Sequence, residues 1–456
     1  MEQSERSKLL GTMPMGKLVP KISLPIMFSM IVQALYNIVD SIFVAKFHEK
    51  ALTAVSLAFP LQVLSVAVGV GIGVGMNSLI SRKLGEHRHE EALRAANNGL
   101  FLLLMGFVPF LIIGLTAVGP FYRLFTQDEE IFRYGTEYLS IVMTYSAGFF
   151  LMIGMERLLQ ATGNTMFSMA TQLTGAVVNI ILDPILIFGY LGFPAMGAAG
   201  AAIATVVGQF AGFGLGLWMN QNRNRELKLD IRGFRPEGQV MKNILVVGFP
   251  SIIMQSIGSL LTVLLNLILI AYGAIAVNVL GIYFKLQSFV FMPVFGLSSG
   301  LVAIVGYNFG ARNKKRVYEA VRTALTYAVS IMAFGTVLFM AAPELLLKMF
   351  EAGDSQELLR IGVPALRIIS LHFIFAACDI VLSTVFQAVG KGGYSLLCSV
   401  VRQLAALLPF AWLLSALWGL GAVWWCFLIS ETMSLVLCLY LYRRVVRRTI
   451  APLTRA

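Results

Sequence analysis

Charged residues are scarce in this sequence of 456 residues, and only 13% are Asp, Glu, Lys or Arg. A soluble globular chain carries roughly 25%. Hydrophobic residues make up 58% instead, and a chain this long and this apolar could not hide its surface in water. The composition therefore excludes an ordinary soluble protein and indicates a polytopic membrane protein.

Cysteines and nucleotide-binding signals are also sparse. The four cysteines lie in apolar runs without C-x-x-C spacing, which excludes a zinc or disulfide framework and predicts small buried side chains. The sequence contains no P-loop, so we expect an ion gradient rather than ATP to drive any transport. We attribute the net charge of +12 to basic cytoplasmic loops and not to nucleic-acid binding.

Glycine-rich stretches do not indicate catalytic chemistry here. "GLSSG" at 296–300 matches the elbow of serine hydrolases, and "GVGIGVG" at 69–75 is as rich in glycine as a nucleotide loop. Both lie inside apolar runs, where glycine is common and lets helices pack closely. We interpret both as packing surfaces, and no catalytic constellation indicates a membrane enzyme.

Apolar runs of about 20 residues or more mark membrane-spanning helices. Loops rich in Lys and Arg alternate with loops that hold few, and the rich set includes both ends of the chain. Because such loops stay in the cytoplasm, we predict a multi-pass protein of the plasma (inner) membrane with both termini cytoplasmic. The twelve predicted spans centre near residues 32, 67, 108, 148, 178, 207, 256, 291, 332, 375, 405 and 430.

The two halves of the chain match when one is shifted by 225 residues. The shift superposes Gly71, Gly75 and Gly85 on Gly296, Gly300 and Gly310. Six spans in each half predict two pseudo-symmetric lobes that enter the membrane in the same direction. The predicted segments are a cytoplasmic N-terminal segment at 1–16, an N-lobe at 17–220, a cytoplasmic linker at 221–240, a C-lobe at 241–443 and a basic cytoplasmic tail at 444–456.

Carboxylates inside predicted spans are the strongest functional signal. A charged group in hydrocarbon is costly, so it is rare there and usually functional. In the first span, Gln33, Asn37 and Asp40 recur at helical spacing, with Tyr36 beside them. This spacing places the polar side chains on one face of the helix.

The fifth span repeats the pattern, since Asn179 and Asp183 are four residues apart and Pro184 frees a backbone carbonyl. The sixth span is rich in small residues and offers Thr205. If the three helices adjoin, burial and repulsion oppose the ionisation of both Asp40 and Asp183, so their pocket would take a proton or Na⁺. The alternative is that these side chains only hydrogen-bond within the helix bundle.

Several stretches resemble the MATE (multidrug and toxic compound extrusion) family, nearest its DinF-like and MepA-like bacterial branches. They are "LPIMFSMIVQALYNIVDSIFVAKF", "LDPILIFG", "GAAGAAIATVVGQ" and the paired "LLQATGNT" and "VFQAVGKG". The resemblance implies twelve helices in two six-helix lobes with a V-shaped cleft between them. It also implies export of organic cations and other amphipathic drugs in exchange for H⁺ and/or Na⁺, with no cofactor beyond that ion. We expect a monomer in the bilayer.

The resemblance also assigns site residues. The family's N-lobe cation site falls on Asp40, Asn179, Asp183, Thr205 and Ala201. Tyr138 resembles the family's helix-four tyrosine. The NorM-type branch adds a C-lobe site with a glutamate on helix seven and an aspartate on helix ten. Here those positions hold Gln255 and Asp379, so we expect contact with a substrate or cation there, with Gln287 as a further candidate.

Two questions stay open at this stage. The same oxygen ligands can serve H⁺ or Na⁺, so the sequence does not choose the coupling ion. A flippase for lipid-linked oligosaccharides or lipids, from the same superfamily, is the alternative function. It would need cationic residues facing the cleft to hold a diphosphate, and the candidates within spans are Lys285, Arg367 and Arg402.

Overall fold

The computed structural model describes residues 5–224, 226–230, 232, 234–349 and 356–453. These residues form helices joined by loops and contain no strand. Ten helices are long and apolar enough to cross a membrane, and two bent pairs bring the described spans to twelve. The predicted all-α polytopic fold is confirmed. The outer parts of the N-terminal segment and the tail, at 1–4 and 454–456, and linker positions 225, 231 and 233 lie outside the described residues.

Six spans form the first half of the chain. They are α1 Met15–Phe47, α2 Glu49–Gly85, α3 His89–Thr116, α4 Glu129–Thr144 with Ala147–Ala161, α5 Thr165–Phe188 and α6 Ala198–Arg223. The second half repeats this order. Its spans are α7 Gly238–Tyr272, α8 Ala274–Gly310, α9 Lys314–Ala341, α10 Gln356–Ser370 with Phe373–Ala388, α11 Gly392–Trp418 and α12 Leu420–Ile450.

The repeat extends to a feature that the sequence did not predict. Both α4 and α10 are bent by 45°, and each is preceded by a short helix, Val118–Arg123 before α4 and Pro343–Lys348 before α10. Each bend redirects the second half of its helix, which carries ionisable side chains in both lobes. The bends therefore help to position the residues of the candidate site.

The two lobes meet where α2 packs against α7 and α8, and where α1 packs against α8. They touch at the end of the bundle where α2 and α8 finish. We call this the basic end, because the loops that follow are "EHRHEEALR" and "ARNKKRVYEAVR". Six glycines allow the approach, namely Gly71, Gly75 and Gly85 of α2 and Gly296, Gly300 and Gly310 of α8. A methyl group on any of them would lie less than 3.0 Å from an atom of the other lobe.

The contacts of these glycines obey the same 225-residue shift as the glycines themselves. Gly71 packs against Ile252 of α7, and its counterpart Gly296 packs against Met27 of α1. Met27 and Ile252 are also 225 residues apart. The two lobes therefore contact each other through equivalent residues, related by the same shift as the sequence repeat. This contact confirms the interpretation of the glycine-rich stretches as helix-packing surfaces.

Small residues also press α6 against α5 within the first lobe. A methyl group on Gly200 would lie 2.6 Å from the carbonyl of Leu186, and one on Gly208 would lie 2.6 Å from the carbonyl of Gly175. The backbones therefore run in direct contact. This close approach brings the polar face of α5 to Thr205 of α6.

The start of α4 is fixed by a cap and an ion pair. Asp128 accepts hydrogen bonds from the backbone N–H groups of Glu130 and Ile131, at 2.9 and 3.2 Å. The ammonium of Lys50 at the start of α2 lies 2.9 Å from the same carboxylate and holds the pKa of Asp128 below its ordinary value. α4 is thereby tied to α2 at the end opposite the basic end.

Candidate functional site

A cavity of about 930 Å³ lies between the lobes and is lined by both. This volume suits a drug-sized ligand. Much of the wall is apolar and includes Met30, Phe59 and Phe149 of the first lobe and Met254, Met292 and Phe295 of the second. Methionine and aromatic side chains adapt to ligands of different shape. Since the lobes touch at the basic end, that end forms the floor of the cavity.

The residues predicted for the cation site lie together on one wall of the first lobe. The Asn179 amide donates to Asp183 Oδ1 at 3.3 Å and lies 3.3 Å from Thr205 Oγ1. Asp183 is fully buried, whereas Asp40, Asn179 and Thr205 line the cavity. The helices α1, α5 and α6 therefore adjoin, which is the condition that the sequence analysis left open. Ala201 lies one turn before Thr205 and is fully buried.

The carboxyl groups of Asp40 and Asp183 lie close enough to interact directly. Among the described residues, however, Oδ1 of Asp40 and Oδ2 of Asp183 are buried without a hydrogen-bond partner. Two ionised carboxylates repel each other and cannot hydrogen-bond directly. A shared proton or a small cation would satisfy both oxygens, so the residues present fit H⁺ or Na⁺.

The predicted supporting residues surround this pair. Gln33, Tyr36, Asn37 and Tyr138 all line the cavity. Tyr138 is buried, and its hydroxyl accepts a hydrogen bond from Gln62 at 3.0 Å. The amide of Gln172 donates to Gln33 at 2.9 Å. Gln62 and Gln172 were not predicted as site residues, because an isolated glutamine in a span gives no distinctive spacing signal.

The second lobe contributes a charge cluster that sequence reasoning did not assemble. Arg402 of α11 lies 3.3 Å from Glu431 of α12 and 4.0 Å from Asp379 of α10. The Ser434 hydroxyl lies 2.5 Å from Asp379 Oδ2. Both carboxylates are almost fully buried, and Asp379 and Arg402 line the cavity. The arginine therefore neutralises part of the negative charge of this lobe.

Other candidate residues of the second lobe are placed differently. Gln255 lines the cavity as predicted for a contact residue, whereas Gln287 lies outside its lining. Lys285 and Arg367 are exposed side chains that also lie outside the lining. Of these three predicted candidates, Arg402 alone reaches the cavity, and its partners Glu431 and Asp379 already hold it. Arg157, which the structure places inside α4, lines the cavity as well.

The described residues contain no group of three or more His, Cys, Asp and Glu side chains that could hold a metal ion. The candidate cation site is instead a set of oxygen atoms from Asp40, Asn179, Asp183 and Thr205. Carboxylate, amide and hydroxyl oxygens suit a hard monovalent cation or a proton rather than a transition metal.

Comparison with known proteins agrees with this architecture. The MatE family model matches residues 25–185 and again residues 250–413. The multidrug export protein MepA of Staphylococcus haemolyticus is 26% identical over 432 residues, which are 93% of this chain and 92% of that protein. The probable multidrug resistance protein NorM of Thermotoga maritima is 27% identical over 406 residues, or 88% and 86% of the two chains.

The solved structures agree as well. A multidrug resistance MATE family transporter of the MOP superfamily, solved in an outward-facing conformation, has a TM-score of 0.91 and 25% identity to this chain. The match covers 98% of this chain and 99% of that one. Together with the doubled family match, it confirms that the protein is a multi-pass membrane transporter and not an enzyme. The chain belongs to the MATE family.

Proposed function

We propose that this protein is an antiporter of the plasma membrane that exports organic cations and other amphipathic drugs in exchange for H⁺ and/or Na⁺. The observation that carries the proposal is the Asp40–Asp183 pair, whose unpartnered buried oxygens adjoin the cavity between the lobes. Relatives named as multidrug export and resistance proteins support the drug as cargo. We expect a monomer that needs no cofactor beyond the coupling ion.

The distribution of basic residues gives the orientation of the protein in the membrane. If the basic end and both termini lie in the cytoplasm, the lobes are closed on the cytoplasmic side and the cavity faces outward. The ion then enters from outside and binds at Asp40 and Asp183, while the drug leaves outward. Ion binding can drive the transition only if the two lobe arrangements bind the ion with different affinity.

Helix α1 is the physical link between the ion site and the lobe contact. It is a continuous helix from Met15 to Phe47 that contains Pro20 and Pro25. It carries Asp40 toward one end and packs Met27 against Gly296 toward the other. A change at the carboxyl pair that bends or repacks α1 would therefore alter the closure of the basic end.

The flippase alternative receives less support from the cavity. A diphosphate needs several cationic groups, and Lys285 and Arg367 lie outside the lining. Arg402 lies inside it but is held by Glu431 and Asp379, which leaves Arg157 as the one other arginine of the described lining. A single free guanidinium falls short of the several cationic groups that a diphosphate needs. The apolar, methionine-containing wall suits an amphipathic drug better than a pyrophosphate head group.

Purified protein in vesicles tests the proposal. Ethidium or norfloxacin movement is measured while the Na⁺ and H⁺ gradients are varied independently. We expect efflux that depends on at least one of the two gradients, and the dependence identifies the coupling ion. Efflux that ignores both gradients, or movement of a labelled lipid-linked sugar instead of the drugs, would contradict the proposal.

A further inference from the structure

Two neighbouring charged side chains on α4 line the cavity near its floor, and neither is ion-paired. Glu156 and Arg157 are 5% and 6% exposed. Among the described residues, no carboxylate oxygen lies within 4.0 Å of the Arg157 guanidinium, and Glu156 accepts no hydrogen bond. Arg157 donates to Gln160 at 2.9 Å, but its Nε–H has no acceptor, and Glu156 Oε1 has no donor.

This arrangement differs from an ordinary helix ion pair. Adjacent residues on a helix point in directions about 100° apart, so Glu156 and Arg157 do not face each other. Arg157 is directed over Gly73 of α2, where a methyl group would lie 2.8 Å from its Cγ. Glycine at this position leaves room for the arginine stem. The lobe contact made by Gly71 and Gly75 lies directly beside it.

An unpaired buried charge is costly, and in a membrane transporter it usually marks the path of a substrate. The cavity contains one other arginine, Arg402, which already has two carboxylate partners. Arg157 is therefore the guanidinium that is available to an anionic group. Glu156, next to it, is available to a cationic group.

We propose that Glu156 and Arg157 form a dipolar subsite that binds substrates carrying both a cationic and a carboxylate group. Glu156 receives the ammonium, and Arg157 donates charged hydrogen bonds to the carboxylate. The inference rests on the export function proposed above and narrows its substrate class. It makes Arg157 the residue that distinguishes a zwitterionic drug from a simple organic cation.

Norfloxacin and its ethyl ester provide a matched pair of probes, because the ester keeps the piperazine ammonium but masks the carboxylate. Their dissociation constants are measured by drug fluorescence with the full-length protein in lipid nanodiscs. We expect Arg157→Gln to weaken norfloxacin binding roughly 10- to 100-fold, as expected for lost charged hydrogen bonds. The affinity for the ester should change less than about twofold. Arg157→Lys, which keeps the charge, should fall between wild type and Arg157→Gln for norfloxacin.

Two further variants complete the test. Glu156→Gln should weaken the binding of both compounds, because both carry the ammonium. Arg367→Gln, on an exposed side chain outside the cavity lining, should change neither. If Arg157→Gln weakens the binding of both compounds equally, or of neither, the proposal of a dipolar subsite is wrong. The export function is not affected by that outcome. If the wild-type protein binds neither compound, the dipolar subsite is wrong, and the export function fails as well if ethidium is not exported either. The ratio of the two affinities does not depend on how much of a variant folds.

Discussion

Replacing Gly75 by alanine tests whether closure of the basic end depends on backbone contact between the lobes. The added methyl group would approach the carbonyl oxygen of Ile244 more closely than side-chain carbons normally approach backbone atoms, and it would lie 3.0 Å from the nitrogen of Gly248. Both atoms belong to the backbone of α7, so neither can rotate away. The lobes must separate slightly at this point.

The size of the effect follows from this clash. Overpacking a close contact costs about 1–3 kcal/mol, and each 1.4 kcal/mol is about a tenfold change in population. The population of the state that is closed at the basic end, relative to the open state, should therefore fall roughly 5- to 150-fold. Alanine also favours a helix over glycine by about 1 kcal/mol, but this gain is the same in both states and cancels.

Double electron–electron resonance measures the result directly. Spin labels at Glu90→Cys and Lys315→Cys, exposed positions near the starts of α3 and α9, report the separation of the lobes at the basic end. Gly75→Ala should enlarge the population at long distance. Gly281→Ala on α8, where a methyl group meets nothing within 4 Å, is the control and should not. An unchanged distance distribution in Gly75→Ala would refute the role given to these glycines.

The remaining predictions use other contacts. Gly310→Ala should open the basic end as Gly75→Ala does, since its added methyl group would also collide with a backbone carbonyl of the other lobe, that of Arg82; the same labels check this. Asn179→Ala removes a hydrogen bond to an acidic group and should weaken ion coupling about tenfold, measured as the ion concentration for half-maximal efflux. Arg402→Gln leaves two buried carboxylates unpaired and should cost about 3–5 kcal/mol, seen as a lower melting temperature that adding Glu431→Gln partly restores.

Helical spacing placed the N-lobe candidate residues of each helix on one face, for a physical reason. Residues three and four apart share a face, so Asn179 and Asp183 had to point in one direction. The cost of charge in hydrocarbon singled out Asp40. The small residues of α6 indicated close packing, which the structure shows between α5 and α6. Local rules were sufficient within each helix, where the candidate residues lie within one or two turns. That the three helices adjoin was a condition that the sequence alone did not supply.

The C-lobe cluster could not be predicted in this way. Asp379, Arg402 and Glu431 lie on three helices, and no spacing rule connects them. The 45° bends of α4 and α10 were equally hidden, because neither break contains a proline. Glu156 and Arg157 are adjacent in sequence, which suggests a pair, but the structure shows that their side chains are not bonded to each other. These features depend on tertiary packing.

The most direct test of the account compares wild type with Asp40→Asn in vesicles under imposed Na⁺ or H⁺ gradients. Asparagine keeps the shape of the side chain but cannot share a proton with Asp183 or carry charge toward Na⁺. The account predicts that Asp40→Asn still binds drug, while its efflux no longer responds to either gradient. Efflux by Asp40→Asn that matches wild type in rate and in gradient dependence would contradict the central claim.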